Sequence, residues 1–237
     1  MDSLDDFMMT RPPTANRPLL GLTVLAVEDS RFASEALRLL CQRSGARIRR
    51  ADSLHHARRH LQVYRPSVVI VDLGLPDGSG AQLISDLAQA SARVDVLLGT
   101  SGDPDGHHIA IKAGADGFLA KPIHSLDAFQ AAILEHLPAE RQPKGLRVVS
   151  GDRIDPDRIS LRDDLTMAAA ALDDASPRKI GYLTQFLGGV ARSAEDTPLC
   201  EAVTALEQVH RAGGSTARHL ARLSALVKDR IARAGVI

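Results

Sequence analysis

The sequence predicts an α/β protein, a doubly wound five-stranded parallel sheet followed by a small all-α helical bundle. Two observations predict it. Between residues 21 and 138, short apolar runs alternate five times with stretches of helical periodicity, the signature of strand–helix repeats with helices on both faces of one sheet. Beyond a stretch bearing Pro138, Pro143 and Gly145, strand-like runs stop and apolar stripes at helical spacing take over.

Residues 1–20 carry acids and three prolines without a sustained period and read as a flexible tail, with room for a short helix over Leu4–Met9. Leu22–Val27 is a continuous apolar run, as expected of a strand buried on both faces. Phe32–Leu40 follows with helical spacing, and Gly45 is placed to close that helix. Arg47–Ala51 reads as an edge strand. Leu54, Ala57, Leu61 and Tyr64 form a helical stripe that ends before Pro66. Ser67–Val71 is β-branched and central in character. Leu83, Ile84 and Leu87 mark a third helix, and Val94–Leu98 a fourth strand. Ile109–Ala113 is a short helix stopping at Gly114, and Gly117–Ala120 a fifth strand. Leu126, Phe129, Ile133, Leu134 and Leu137 give a fifth helix, ended by Pro138. The domain boundaries that follow are a tail at 1–20, an α/β domain at 21–138, a linker at 139–150 and a helical module at 151–237.

Composition narrows the function. Charged residues make up 24% and hydrophobic residues 44%, the balance of a soluble globular protein. The formal net charge is zero, which argues against a nucleic-acid binder. Cys41 and Cys200 lie in apolar-periodic stretches and read as buried thiols in a reducing compartment. No apolar run approaches the roughly 20 residues that span a bilayer. The opening Met-Asp-Ser-Leu-Asp-Asp has no basic region ahead of an apolar one. The expected location is the cytoplasm, with no membrane partner.

The strand ends carry the chemistry. The first ends in Glu28-Asp29, the third in Asp72, the fourth in Thr100-Ser101, and the fifth in Lys121-Pro122. A doubly wound parallel sheet brings its carboxyl ends to one edge, where the strand order reverses. Three carboxylates crowded there repel one another. Mg2+, which prefers oxygen ligands and works with phosphates, relieves that repulsion. Asp72 is then an oxygen nucleophile of the kind that forms aspartyl-phosphates. Lys121 and a hydroxyl of Thr100 or Ser101 stand by to meet the phosphoryl oxygens.

Val27-Glu28-Asp29-Ser30, Val71-Asp72-Leu73-Gly74-Leu75-Pro76-Asp77-Gly78 and Ala113 through Pro122 together resemble the receiver domain of two-component response regulators, over roughly residues 20–138. The resemblance implies a flavodoxin-like fold. It implies that Glu28 and Asp29 are the metal-binding acid pair, that Asp72 is the phosphoacceptor, and that the Gly74 carbonyl is a further Mg2+ ligand. Lys121 would contact the phosphoryl group, its bond to Pro122 would be cis, and Phe118 would be the aromatic switch. It also implies a donor, either a sensor histidine kinase or a histidine phosphotransfer protein. The domain would assist its own Mg2+-dependent phosphorylation and dephosphorylation rather than act as an enzyme on a separate substrate. The switch hydroxyl stays open between Thr100 and Ser101. Counting forward from Asp72 favours the first, while the Ser-Gly string favours the second.

Two other functions are opposed by the sequence. A DNA-binding transcriptional regulator is opposed by the charge balance. A haloacid-dehalogenase-type phosphatase would require a second acid two residues after Asp72, where Gly74 stands. His56 and His60 share a helical face but lack a third ligand at motif spacing, and read as a solvated face, as do His107 and His108.

In the helical module, Leu165–Leu172, the Ile180–Val190 stripe, the Leu199–Val209 stripe and the Leu220–Ile231 stripe predict three or four helices packed as a bundle. The module's charge is nearly balanced, and the basic side of the last helix reads as solvated. His210, four residues before Gly214-Ser215, loosely resembles the phosphohistidine motif of histidine phosphotransfer domains, although Gly213-Gly214 also suits a helix end. The expected role is protein interaction, through a homodimer or an effector.

Overall fold

The computed structural model describes residues 12–143, 151–174 and 177–234. The helix expected over Leu4–Met9 lies outside them.

Strands β1 (Thr23–Val27), β2 (Arg47–Ala51), β3 (Val68–Asp72), β4 (Val96–Ser101) and β5 (Gly117–Ala120) form one sheet in the order β2-β1-β3-β4-β5. Every pairing is parallel. Helices α1 (Arg31–Ser44), α2 (Leu54–Val63), α3 (Gly80–Ala88), α4 (Gly106–Ala113) and α5 (Leu126–Leu134) connect and follow the strands. Strand alternation sorts the core into two layers. Val24, Ala26, Val68, Ile70, Val96 and Leu98 face α1 and α5. Leu25, Val27, Val69, Val71 and Leu97 face α2, α3 and α4. Because β3 is buried at every residue, its sequence reads as an uninterrupted apolar run.

Local signals set the helix ends. Ser30 accepts from the Ala33 N–H at the start of α1, satisfying one of the four unpaired amides there. Gly45 ends the same helix at φ 87°, a left-handed conformation open to glycine. At the start of α3, Gly80 lies against the Asp72 carbonyl, and any side chain there would collide with it. That close approach positions the helix directly under the end of β3.

β4 begins at Val96 rather than Val94, although Val94 is still buried. α4 starts at Gly106, before the first apolar residue of its stripe. The tail expected over 1–20 ends sooner than that. Leu19 is fully buried in the α1–α5 layer, and its N–H donates to the Ser44 carbonyl at 3.0 Å. The linker expected over 139–150 opens with a short 3-10 turn, Ala139–Arg141, and Gln142 donates to the carbonyls of Leu134 and Leu137. Its residues 144–150 lie outside the described ones. Residues 152–154, expected in the helical module, pack on the α/β domain instead. Ile154 is buried in the α1–α5 layer, and its N–H donates to the His124 carbonyl at 2.8 Å.

Among the described residues the module has four helices, α6 (Arg158–Asp173), α7 (Pro177–Ser193), α8 (Thr197–Arg211) and α9 (Ala217–Ala234). Leu165, Leu183, Leu187, Leu206, Leu223 and Val227 are among the residues of its own core. On the basic side of α9, Arg230 pairs with Asp196 at 2.7 Å and exposed Lys228 with Asp173 at 3.2 Å. No described helix is long and apolar enough to cross a membrane.

Both cysteines are free. Cys41 is fully buried in the α1–α5 layer, and burial pushes its thiol up to about 12. Thiolate is the reactive form. At pH 8 the folded chain is therefore expected to titrate one thiol with a chromogenic disulfide, at partly exposed Cys200, and the second only in denaturant. Two equally fast thiols in the folded protein contradict this packing.

Candidate functional site

The strand order reverses between β1 and β3, and the acids collect at that switch point. Asp72 ends β3, and Glu28 and Asp29 follow β1. Ligating oxygens of all three lie within 4.8 Å of one another. Lys121, just past β5, reaches across the crevice. Its Nζ lies 2.7 Å from Asp72 Oδ2 and 2.7 Å from Glu28 Oε2. All three members of this ion-paired set are under 10% exposed. The Lys121–Pro122 bond is cis.

Burial dominates the electrostatics. It drives the Glu28 carboxyl well above the usual carboxylate range, with Lys121 pulling the other way. It lifts Asp29 to about 6, opposed by a hydroxyl from Tyr182 and reinforced by Asp72. Burial alone would pull the Lys121 ammonium down, but Asp72 and Glu28 outweigh it and raise it. One ammonium does not balance three carboxylates. The donor set is entirely hard oxygen, which suits Mg2+ in charge and ligand type.

The other expected residues surround this cluster. The Gly74 N–H donates to Asp72 Oδ1 at 3.3 Å. Gly74 belongs to a two-residue antiparallel ribbon, Gly74–Leu75 against Gly78–Ser79. Thr100 is in register with Asp72 and fully buried, and its hydroxyl donates to the Leu119 carbonyl at 2.7 Å. The Ser101 hydroxyl accepts from the Asp103 N–H at 3.0 Å. Phe118 packs over Gly99 and Gly106, with His107 edge-on at 5.7 Å. Asp77 accepts from the Leu54 and His55 amides, both at 2.9 Å, and so caps α2.

The helical module also meets this site, which the sequence did not reveal. Tyr182 on α7 donates its hydroxyl to Asp29 Oδ2 at 2.7 Å. Gln185, one turn on, lies against Gly74, and Arg192 lies against Gly102. Asp164 on α6 accepts from the Ser30 hydroxyl at 2.7 Å, the Arg31 N–H at 2.9 Å and the Phe32 N–H at 3.0 Å. One signal was available: Asp164 falls between Leu161 and Ala168 on the apolar face of its helix, a costly place for a carboxylate without partners. Tyr182, Gln185, Gly189 and Arg192 form a second face on α7, at helical spacing, beside the apolar stripe. His210 stands at the end of α8 and has no hydrogen bond or ion pair to the acidic cluster.

A doubly wound sheet with an acid trio, two of them buried, and a buried lysine at its switch point defines an α/β domain built around a metal-competent aspartate pocket. Residues 24–133 match the response regulator receiver domain. Among curated proteins, the chain is 36% identical over 99 residues to the KDP operon transcriptional regulatory protein KdpE of Escherichia coli K12, covering 42% of this chain and 44% of KdpE. It is 32% identical over 104 residues to the virulence transcriptional regulatory protein PhoP of Salmonella typhimurium 14028s, covering 44% of this chain and 46% of PhoP. The chain thus spans under half the length of these relatives. A crystal structure of a putative response regulator from Chloroflexus aurantiacus overlays at a TM-score of 0.45 with 28% identity, covering 48% of this chain and 98% of that one. The helical module lies outside the family match.

Proposed function

We propose that this chain is a phosphorylation-controlled signalling protein in which Asp72 accepts a phosphoryl group from a sensor histidine kinase or a histidine phosphotransfer protein. The observation that carries this reading is the cluster of buried Asp72, Glu28 and Lys121 with partly buried Asp29 at the carboxyl edge of the sheet.

An Asp72 carboxylate oxygen attacks phosphorus in line. The P–N bond of the donor phosphohistidine breaks as the new P–O bond forms, and the imidazole leaves with the electron pair. Glu28, Asp29, Asp72 and the Gly74 carbonyl would hold Mg2+, which when bound supplies charge neutralisation to the phosphoryl oxygens. Lys121 gives up part of its contact with Asp72 and pairs with a phosphoryl oxygen. The Thr100 hydroxyl, in register with Asp72, leaves the Leu119 carbonyl and donates to another, with Ser101 as the alternative. Phe118 follows into the space this vacates. The result is a population shift between two states of the α4–β5 region.

Incubation with Mg2+ and acetyl phosphate, read by intact mass, is expected to add one phosphoryl group to the wild type and none to Asp72→Ala. A folded wild type that gains nothing, or an Asp72→Ala variant that gains as much, removes the proposal.

A further inference from the structure

We propose that the α6–α7 face of the helical module is a docking surface for the phosphorylation pocket of its own receiver, where it competes with Mg2+ and the phosphodonor. The proposal rests on the reading of Asp72 given above.

Tyr182, Gln185 and Arg192 run along one face of α7 and meet, in turn, Asp29, Gly74 and Gly102. Gly189, between them, passes over Lys121. The helix therefore crosses the mouth of the crevice, and Asp72 beneath it is 7% exposed. The small cavity beside Lys121 is lined from both halves of the chain, by Phe32, Ile123 and His124 on one side and by Pro156 and Ser193 on the other. In-line attack needs the donor atom opposite the attacking Asp72 oxygen, and α7 lies across that approach.

The contacts are specific to a receiver pocket. Tyr182 engages one of the acids read as metal ligands, and Gln185 covers the glycine whose carbonyl is read as another. Asp164 supplies a buried carboxylate to the unpaired amides at the start of α1, beside the same acid pair. The interface is also incompletely satisfied. Arg192 Nε is buried without a hydrogen-bond partner, a cost that favours release. Polar keys with an unpaired group are what a reversible interdomain contact looks like. Filling the pocket with metal and phosphoryl changes the charge facing Tyr182 and the space beneath Gln185, which weakens docking. By linkage, docking opposes phosphorylation by the same factor.

The test uses the full chain with acetyl phosphate and Mg2+. Tyr182→Phe is expected to raise the initial rate of phosphorylation at Asp72 by roughly tenfold or more, the scale of one lost hydrogen bond to a charged group, and Asp164→Ala, which removes three such bonds, by at least as much. Wild-type amides of Arg31 and Phe32 are expected to lose hydrogen-exchange protection once Asp72 is phosphorylated. Tyr182→Phe removes only a hydroxyl, so it and the exchange experiment stand even where Asp164→Ala fails to fold. Equal rates in wild type and Tyr182→Phe, or unchanged protection in fully phosphorylated protein, overturn the docking proposal alone. If neither wild type nor variant takes a phosphoryl group, the phosphoacceptor reading falls and the competition falls with it.

Discussion

Lys121→Met is expected to lose about 3–5 kcal/mol of folding stability in metal-free buffer at pH 7, the scale for breaking a buried ion pair from one side. Methionine keeps the length of the stem and removes the ammonium. Asp72 and Glu28, each 2.7 Å from Nζ in the native chain, would then face one another in a buried site with no cation between them. Two responses separate this cause from lost packing. The deficit should shrink as pH falls, because burial already holds the Glu28 carboxyl well above its usual range and protonation relieves the repulsion. It should also shrink with added Mg2+, which would give the variant's acids the neutralising cation that Lys121 already supplies in wild type and so stabilise the variant's folded state more. Urea melts with and without Mg2+ measure both. A variant within 1 kcal/mol of wild type without metal shows that Lys121 is not what neutralises the pocket.

Asp29→Asn is expected to act in the opposite direction and to raise metal-free stability at pH 7 by about 1–3 kcal/mol, at roughly 1.4 kcal/mol per pKa unit. Burial lifts the Asp29 carboxyl from 3.8 to about 6. Between those values the folded chain holds a proton that the unfolded chain has released, so wild-type stability falls as pH rises from about 4 to about 6. Asparagine does not titrate and is spared that loss, while its carbonyl still accepts from Tyr182. The gap should therefore be fully open above pH 6 and close toward pH 4. Mg2+ should narrow or reverse it, because wild type keeps the ligand that the variant lacks. A wild type more stable than Asp29→Asn at pH 7 without Mg2+ contradicts the idea that charge crowding strains this pocket. Both substitutions describe a site whose charges are arranged for function at a cost to the fold.

Much of the α/β domain was legible because its signals are local. β3 is apolar at four consecutive positions since both its faces are covered, and Ser30 and Gly45 mark the ends of α1 by the chemistry of their caps. Strand ends were less legible. β4 was read two residues early because Val94 is buried without being in the strand. Leu19 and Ile154 are not legible as core residues because each lies in an irregular segment, where no period exists to be read.

By itself, the sequence determined a doubly wound sheet, a four-stripe helical module and the convergence of Glu28, Asp29, Asp72 and Lys121. Parallel strands with right-handed crossovers leave little freedom in where strand ends go. What only the tertiary structure decided is where the second half sits on the first. Asp164 and Tyr182 meet Ser30 and Asp29 across 134 and 153 residues of chain. No periodicity or spacing encodes such a pairing, because it depends on how two separately packed cores present their polar faces to one another.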